Sequence, residues 1–461
     1  MMTSKKTIRA FKVCCIPIFV LCSVLLNVLQ AQPVRADSFT LKLWLGDVTN
    51  KQPIKDLLTQ FTKDTGIQAD VTVAAQNTTD NLSQLEQLLA TQSSDVDVIM
   101  YDVINPGLLA PHLVDLNPVI KAANFDTTAF FSRLFQNNTV NGKLVGLPWF
   151  VDAGLLYYRT DLLKKYGFSA PPKTWDELTQ MAQVIQDGER KTGNPDFWGY
   201  VWQGDAYEGL TCDALEWQYS DGGGSIVETN RIISVNNPQT QAALERAAKW
   251  VGTISPPGVT TYQEDDARKV WQAGNAAFMR NWPYAYVLGQ GGPDGTQETK
   301  IKGLFDVTTL PSGASGSGAA ALSGWQLGVS AYSKHPQEAA QLLLYLVGPM
   351  TQKSNAINLD WLPSDKSVYQ DKEVAQVHPF MPKLAGAGDQ AVPRPSTVTG
   401  AKYTEVSTAY YSAVHDVLSG KTDARSALDD LEVKLQNILG SNFTIGEPPV
   451  ESTQNATPAT S

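Results

Sequence analysis

Apolar and polar residues alternate along this chain with two different periods. In "FTLKLWLGD" the apolar positions are Phe39, Leu41, Leu43 and Leu45, a two-residue period that predicts a strand with one face buried. The period then changes. Ile54, Leu57, Leu58 and Phe61 recur at helical spacing, and Gly66 ends that helix. "IQADVTVAA" alternates again, Leu82, Leu85, Leu88 and Leu89 form a second helical stripe, and "DVDVIMYD" reads as a buried strand. This βαβαβ order predicts a mainly parallel sheet flanked by helices, because parallel neighbours need a long crossover between them. The rhythm resumes after "GKLVGLPWFVDAGLLYYR". Thr174 and Glu177 read as a capping box for "TWDELTQMAQVIQ", and Asn237 with Pro238 opens "QAALERAAKWVG", which stops at Gly252. Pro336 opens "PQEAAQLLLYLVG" in the same way. The fold class is α/β.

Composition agrees with a packed globular chain, at 43% hydrophobic and 18% charged residues, and 461 residues suggest two domains or one large one. The N-terminus adds a destination. "MMTSKKTIRAFK" is basic, Val13 to Leu29 is apolar, and Val34 and Ala36 in "AQPVRAD" are the small residues of a cleavage site. Residues 1–36 therefore read as a secretory signal, the alternative being an uncleaved anchor. Pro17 and Asn27 within so short a run argue against the anchor. The leader contains no acidic residue, so the remainder is more acidic than the whole chain's −10, which argues against nucleic acid or an anionic membrane as partner. Cys14, Cys15 and Cys22 fall within the leader, and Cys212, left alone, reads as a buried thiol. His112, His335, His378 and His415 lack ligand spacing, so neither a metal nor any other cofactor is expected. "SGASGSGAAA" reads as a flexible loop because its glycines lack the spacing of a phosphate cradle.

Candidate chemistry is concentrated elsewhere. The chain has no G-x-S-x-G elbow, no H-E-x-x-H and no Walker lysine loop. Glu264, Asp265 and Asp266 open a helical pattern, where carboxylates favour the helix dipole. A carboxylate pair acting on a glycosidic bond is defined by a separation in space, so a secreted glycoside hydrolase stands as the rival reading. In "GNAAFMRNWPYAY", the stretch "NAAFMR" predicts a buried strand ending at Arg280, and Pro283 suits the first turn of a helix. Trp282, Tyr284 and Tyr286 then fall at the carboxyl end of a strand, the edge where open α/β sheets hold ligands. Either the rings are core or they line a cleft. In a cleft, aromatic faces would meet the C–H faces of a sugar while carboxylates and guanidinium groups bond its hydroxyls.

Five segments taken in order, "FVDAGLLYYRTDLLKKYG", "PPKTWDELTQMA", "YVWQGDAYEGLTCDALEW", "GNAAFMRNWPYAY" and "LSGWQLGVS", resemble the extracellular solute-binding proteins of ABC sugar importers. More narrowly they resemble the trehalose/maltose-binding branch of the maltose-binding-protein-like group, from about Phe39 to the helix near Leu439. The resemblance implies two α/β lobes joined by crossover strands, with sugar held between them. Lobe one would take residues 37–150 and 311–350, lobe two 151–310 and 351–441, and 442–461 would be a polar, disordered tail. The crossings would fall near "VGLPWFVDAG", near "LFDVTTLPS" and around Met350 to Asn358. It further implies a monomeric receptor, not an enzyme, outside the cytoplasmic membrane. That receptor would deliver a neutral disaccharide or glycosidic osmolyte of trehalose, sucrose, maltose or glucosylglycerol type to ABC permease subunits. A sugar sensor for a signalling partner would share these features.

Matched motif to motif, Trp282 and Tyr284 resemble the family's stacking aromatics, and Trp325 a second platform from the opposite lobe with the backbone of Gly324 beside it. Asp152 and Asp102 would accept hydrogen bonds from sugar hydroxyls, Arg394 would donate a forked pair, and Glu208 would contribute from its helix. Plainer roles stay open for three of these. Asp102 could cap the following loop, Arg394 could pair with a structural carboxylate, and Glu208 could stabilise its helix. Asn50 and Asn81 stand where charged residues are expected against the sugar, and Phe150 where a tyrosine would be natural, so lobe one has fewer polar groups to offer.

Overall fold

The computed structural model describes residues 39–46, 52–73, 78–292, 295–316, 318–385 and 391–449. The expected leader, Asn50 and the end of the tail from residue 450 lie outside the described residues. The strands in chain order are β1 (Thr40–Leu45), β2 (Gln68–Val73), β3 (Val98–Asp102), β4 (Thr139–Val140), β5 (Lys143–Leu144), β6 (Leu147–Asp152) and β7 (Leu155–Arg159). They continue as β8 (Trp198–Val201), β9 (Ile232–Ile233), β10 (Ala276–Asn281), β11 (Phe305–Thr309), β12 (Ser323–Val329), β13 (Leu362–Pro363) and β14 (Thr444–Ile445). Two sheets organise the molecule. One is six-stranded in the order β13-β6-β12-β3-β1-β2, the other four-stranded in the order β11-β7-β10-β8. With helices packed on both, this is a two-lobed α/β fold.

The sheets are mixed, which corrects the mainly parallel expectation. β1 runs parallel to β2 and β3, and β10 parallel to β8, but β12 is antiparallel to both β3 and β6, and β7 antiparallel to β10 and β11. The cause is the way the chain changes sheet. β6 ends at Asp152 and β7 begins at Leu155 in the other sheet, so only Ala153 and Gly154 intervene. With no crossover helix there, β7 enters its sheet reversed relative to β10 and β11, and β12, which enters the six-stranded sheet from β11 in the other one, is reversed in the same way relative to β3 and β6.

The second crossing runs from β11 to β12 through Leu310 to Leu322. The third runs beside it, with Leu322 N–H donating to Val392 O at 2.7 Å and Val392 N–H to Ala320 O at 2.8 Å. The third crossing is therefore not at Met350 to Asn358. Gly348 and Pro349 start a new helix, Pro349–Leu359, and Asp360 turns the chain at φ 57°. Leu362–Pro363 then bond to β6 within the six-stranded sheet. The glycine loop is also tied down, since Ser312 N–H donates to Lys173 O and Ala314 N–H to the Asp221 carboxylate. Thr444–Ile445 pair in parallel with Ile232–Ile233, so the tail's first residues are ordered by a strand partner.

Helix Glu208–Ser220 is buried along almost its whole length, with helices Pro238–Trp250 and Tyr403–Leu418 against it. Around it lies an aromatic core. Trp202 and Trp217 meet edge to face at 5.0 Å, Trp217 and Trp250 at 5.8 Å, and all three are sealed from solvent. Much of the tryptophan content is thus core. Among the described residues no helix is long and apolar enough to cross a membrane.

Gly324 fixes the spacing of the two strands nearest the lobe boundary. Its φ is +126°, and a Cβ there would lie 2.4 Å from Phe150 O and 2.9 Å from Val151 Cα on β6. Gly324→Ala is expected to cost about 2–3 kcal/mol, since both the backbone angle and the neighbouring main chain resist a side chain. A denaturant midpoint equal to the parent's would show that β6 and β12 separate freely.

Candidate functional site

Of the candidate residues, Asp102 lies on β3, Phe150 and Asp152 on β6, Gly324 and Trp325 on β12, and Trp282 and Tyr284 on the strand-to-helix bend after β10. Register partners on a sheet present their side chains on one face. Trp325 is the partner of Asp102 on β3 and of Phe150 on β6, and Ser323 is the partner of Asp152. The Trp325 ring is partly exposed and borders Gly46, where a Cβ would come within 3.3 Å of Cζ3. Asn81 borders the same glycine. Its Oδ1 accepts from Trp44 Nε1 at 3.0 Å, while its buried Nδ2 has no partner among the described residues.

On the other sheet, the bend after β10 divides its rings. Tyr286 is half-buried and packs at 4.5 Å on Phe380, against the core. Trp282 is 9% exposed, lies with one face on the Arg280 guanidinium at 3.9 Å, and points Nε1–H at Glu264 Oε1 at 3.3 Å. Cys212, Ala321 and half-buried Tyr284 pack around it. The Tyr157 hydroxyl donates to the carbonyl of Trp282 at 2.7 Å, which holds the bend against β7.

Asp152 ends β6 as the register partner of Ser323. It is half-buried, and no hydrogen bond from a described residue reaches its carboxylate. Burial pushes its pKa well above the usual range, Asp102 pushes it further, and Arg280 opposes both. It is thus within electrostatic reach of the strand partner of Trp325 and of the guanidinium beneath Trp282.

Arg394 and Glu208 differ from the expected roles. The Arg394 Nη1 donates to Glu208 Oε1 at 2.7 Å and Nη2 to Asp102 Oδ1 at 3.1 Å, so the forked pair goes to carboxylates. Glu208 also accepts from the Tyr403 and Ser407 hydroxyls, each at 2.5 Å. The reason is burial: a guanidinium taken out of water is costly unless paired. The plainer reading of Asp102 is seen as well, since Oδ1 accepts from Ile104 N–H at 3.2 Å and caps the turn. Burial raises the Asp102 pKa and Arg394 counters it. Phe150 is buried, stacked on Trp361 at 3.9 Å with an interplanar angle of 18°.

A cavity of about 400 Å³ lies apart from these residues, lined in part by Thr174, Trp175, Asp221, Pro238, Arg246 and Ser312. No group of three or more His, Cys, Asp or Glu among the described residues is arranged to hold a metal ion.

Comparison with known proteins assigns this geometry to a family. The model of the bacterial extracellular solute-binding protein family matches residues 46–353. The chain belongs to that family. A probable ABC transporter-binding protein of Deinococcus radiodurans is 53% identical to this solute-binding protein over 362 residues, covering 78% of this chain and 84% of that one. The maltodextrin-binding protein MdxE of Bacillus subtilis is 26% identical over 407 residues, covering 85% and 88% respectively. Among solved structures, maltose-bound MalE3 of T. maritima superposes with a TM-score of 0.80 at 36% identity, over 87% of this chain and all of that one.

Four residues of this solute-binding protein near the site escaped the sequence reading: Arg280 as a buried ion, Glu216 as its partner, Trp361 and Tyr403. Arg280 in "FMRNW" and Glu216 in "DALEW" each put a charge in an apolar run, and that was the available signal.

The raised Asp152 pKa has a consequence for stability. A carboxyl whose folded-state pKa is raised contributes stability that is full below its unfolded value and lost as pH rises through the folded value. Asp152→Asn is therefore expected to raise the thermal midpoint at pH 7, with the gap closing at about pH 4 and below, near the unfolded carboxyl pKa. Thermal midpoints measured across that range test it, and a gap independent of pH would mean that no charge burden sits at Asp152.

Proposed function

We propose that this protein captures a neutral sugar of about disaccharide size between its lobes and hands it to the permease of an ABC importer. The observation that carries the reading is a half-buried carboxylate, Asp152, without a hydrogen-bond partner among the described residues, within electrostatic reach of the guanidinium beneath Trp282 and of the strand partner of Trp325. A hydroxyl-rich ligand with apolar ring faces suits that combination, stacking on indole and donating to carboxylate. The names of the relatives support the same class, among them a maltodextrin-binding protein and a maltose-bound structure.

Trp282, Tyr284, Trp325 and the Gly324 backbone contact the sugar, and Asp152 accepts its hydroxyls. Asp102, Arg394 and Glu208 contribute mainly by holding the edge of the site, because their charges satisfy one another. Phe150 on Trp361 and Asn81 on Trp44 leave lobe one comparatively apolar, which favours a compact ligand of trehalose, sucrose, maltose or glucosylglycerol type. Ligand touching both lobes shifts the population toward a closed form. Micromolar affinity, about −8 kcal/mol, is within reach of one or two stacked rings and a few charged hydrogen bonds. The basic, apolar N-terminal segment exports the protein, which acts as a monomer at the outer face of the cytoplasmic membrane and performs no reaction.

Calorimetric titration with trehalose, sucrose, maltose and glucosylglycerol tests this. One of them is expected to bind and to be recovered unchanged after long incubation, and hydrolysis would instead favour a glycosidase. Trp282→Ala and Trp325→Ala are each expected to weaken binding about tenfold or more. Parental affinity in both folded variants would remove the site from this cleft.

A further inference from the structure

We propose that Arg280, held by Glu216, is a positioning residue that couples the Trp282 ring to the connections between the lobes. The proposal rests on the reading of Trp282 as a ligand platform. Arg280 is fully buried, and its guanidinium is gripped on every edge. Nε donates to Glu216 Oε2 at 2.9 Å, Nη2 to Glu216 Oε1 at 2.5 Å and Nη1 to Gln203 Oε1 at 3.0 Å, while Asp213 Oδ1 lies 2.9 Å from Nε. A fork held this firmly cannot rotate without breaking charged hydrogen bonds. The face of the guanidinium is the surface on which the Trp282 ring rests.

The same ion pair touches the moving parts. On the first crossing, Gly154 packs so closely that a Cβ would lie 2.2 Å from Glu216 Oε1 and 2.7 Å from Arg280 Nη2. On the second crossing, Ala321 N–H donates to Glu216 Oε1 at 3.1 Å. The third crossing is bonded to the second through Leu322 and Val392. A change of torsion at the crossings therefore presses on the Glu216 carboxylate, and the carboxylate moves the guanidinium that carries the ring. Ligand affinity and lobe angle are then linked through one buried ion pair.

Two variants test the coupling without altering the ring. Glu216→Gln keeps the shape and removes the charge, and Gly154→Ala intrudes on the ion pair from the first crossing. Affinity for maltose and trehalose is measured by calorimetry, and the change in radius of gyration on adding sugar by small-angle scattering, with thermal midpoints alongside. Folded variants are expected to bind five- to twentyfold more weakly and to differ from the parent in lobe separation without ligand. A lowered midpoint with parental affinity and parental scattering would make the ion pair merely structural and overturn the proposal. If Glu216→Gln does not fold, Gly154→Ala decides alone. If Trp282→Ala binds like the parent, the platform reading fails. In that case an altered lobe separation in ligand-free Gly154→Ala still supports the link to the crossings, and an unaltered one overturns it.

Discussion

An arginine side chain removed from water must be met by carboxylates, because leaving one partner out of a buried pair costs several kcal/mol, on the order of 3–5. This chain meets that demand twice in neighbouring places. Arg280 is paired with Glu216 and Asp213, and Arg394 with Glu208 and Asp102. Three of those four carboxylates come from the single helix Glu208–Ser220, itself buried among tryptophans. Strand ends and crossings are arranged around that helix: Ala321 bonds to Glu216, Gly154 lies against it, and Asp102 brings in the six-stranded sheet through Arg394.

Local structure was largely legible because its signals are local. Gly66 and Gly252 adopt positive φ where the helical patterns stop, and Thr174 and Asn237 accept from the backbone N–H groups three residues on. The acidic trio from Glu264 does open a helix, with Asp266 completing its capping box. What could not be read was pairing between distant segments. β12 bonds to β3 across more than two hundred residues, and its antiparallel sense depends on where the chain passes from one sheet to the other. Alternating side chains report a buried face and say nothing of which strand lies alongside.

The site shows the same limit at the level of single residues. Asp102 is the strand partner of Trp325 and, like the Arg280 beneath Trp282, acts electrostatically on Asp152, yet the types that recognise a sugar are also the types that satisfy one another when buried. Tyr286 shares its bend with Trp282 and packs against the core at Phe380. Arg394 and Glu208, expected to face a ligand, face each other. Phe150 turns to Trp361, a residue with no motif to mark it. Burial and partner identity decide between these outcomes, and both are properties of the folded chain.

The order in which the strands occur also bears on how the molecule can be built. Everything the four-stranded sheet requires lies between Leu155 and Thr309, one uninterrupted stretch. The six-stranded sheet has a gap in it until β12 is made, because that late strand is the wedge between β6 and β3. A ribosome therefore releases the four-stranded sheet complete while, in the six-stranded one, β6 is still unjoined to the β3-β1-β2 group. Nascent residues 40–152 must wait, with open strand edges, for a piece of chain that emerges well over a hundred residues later.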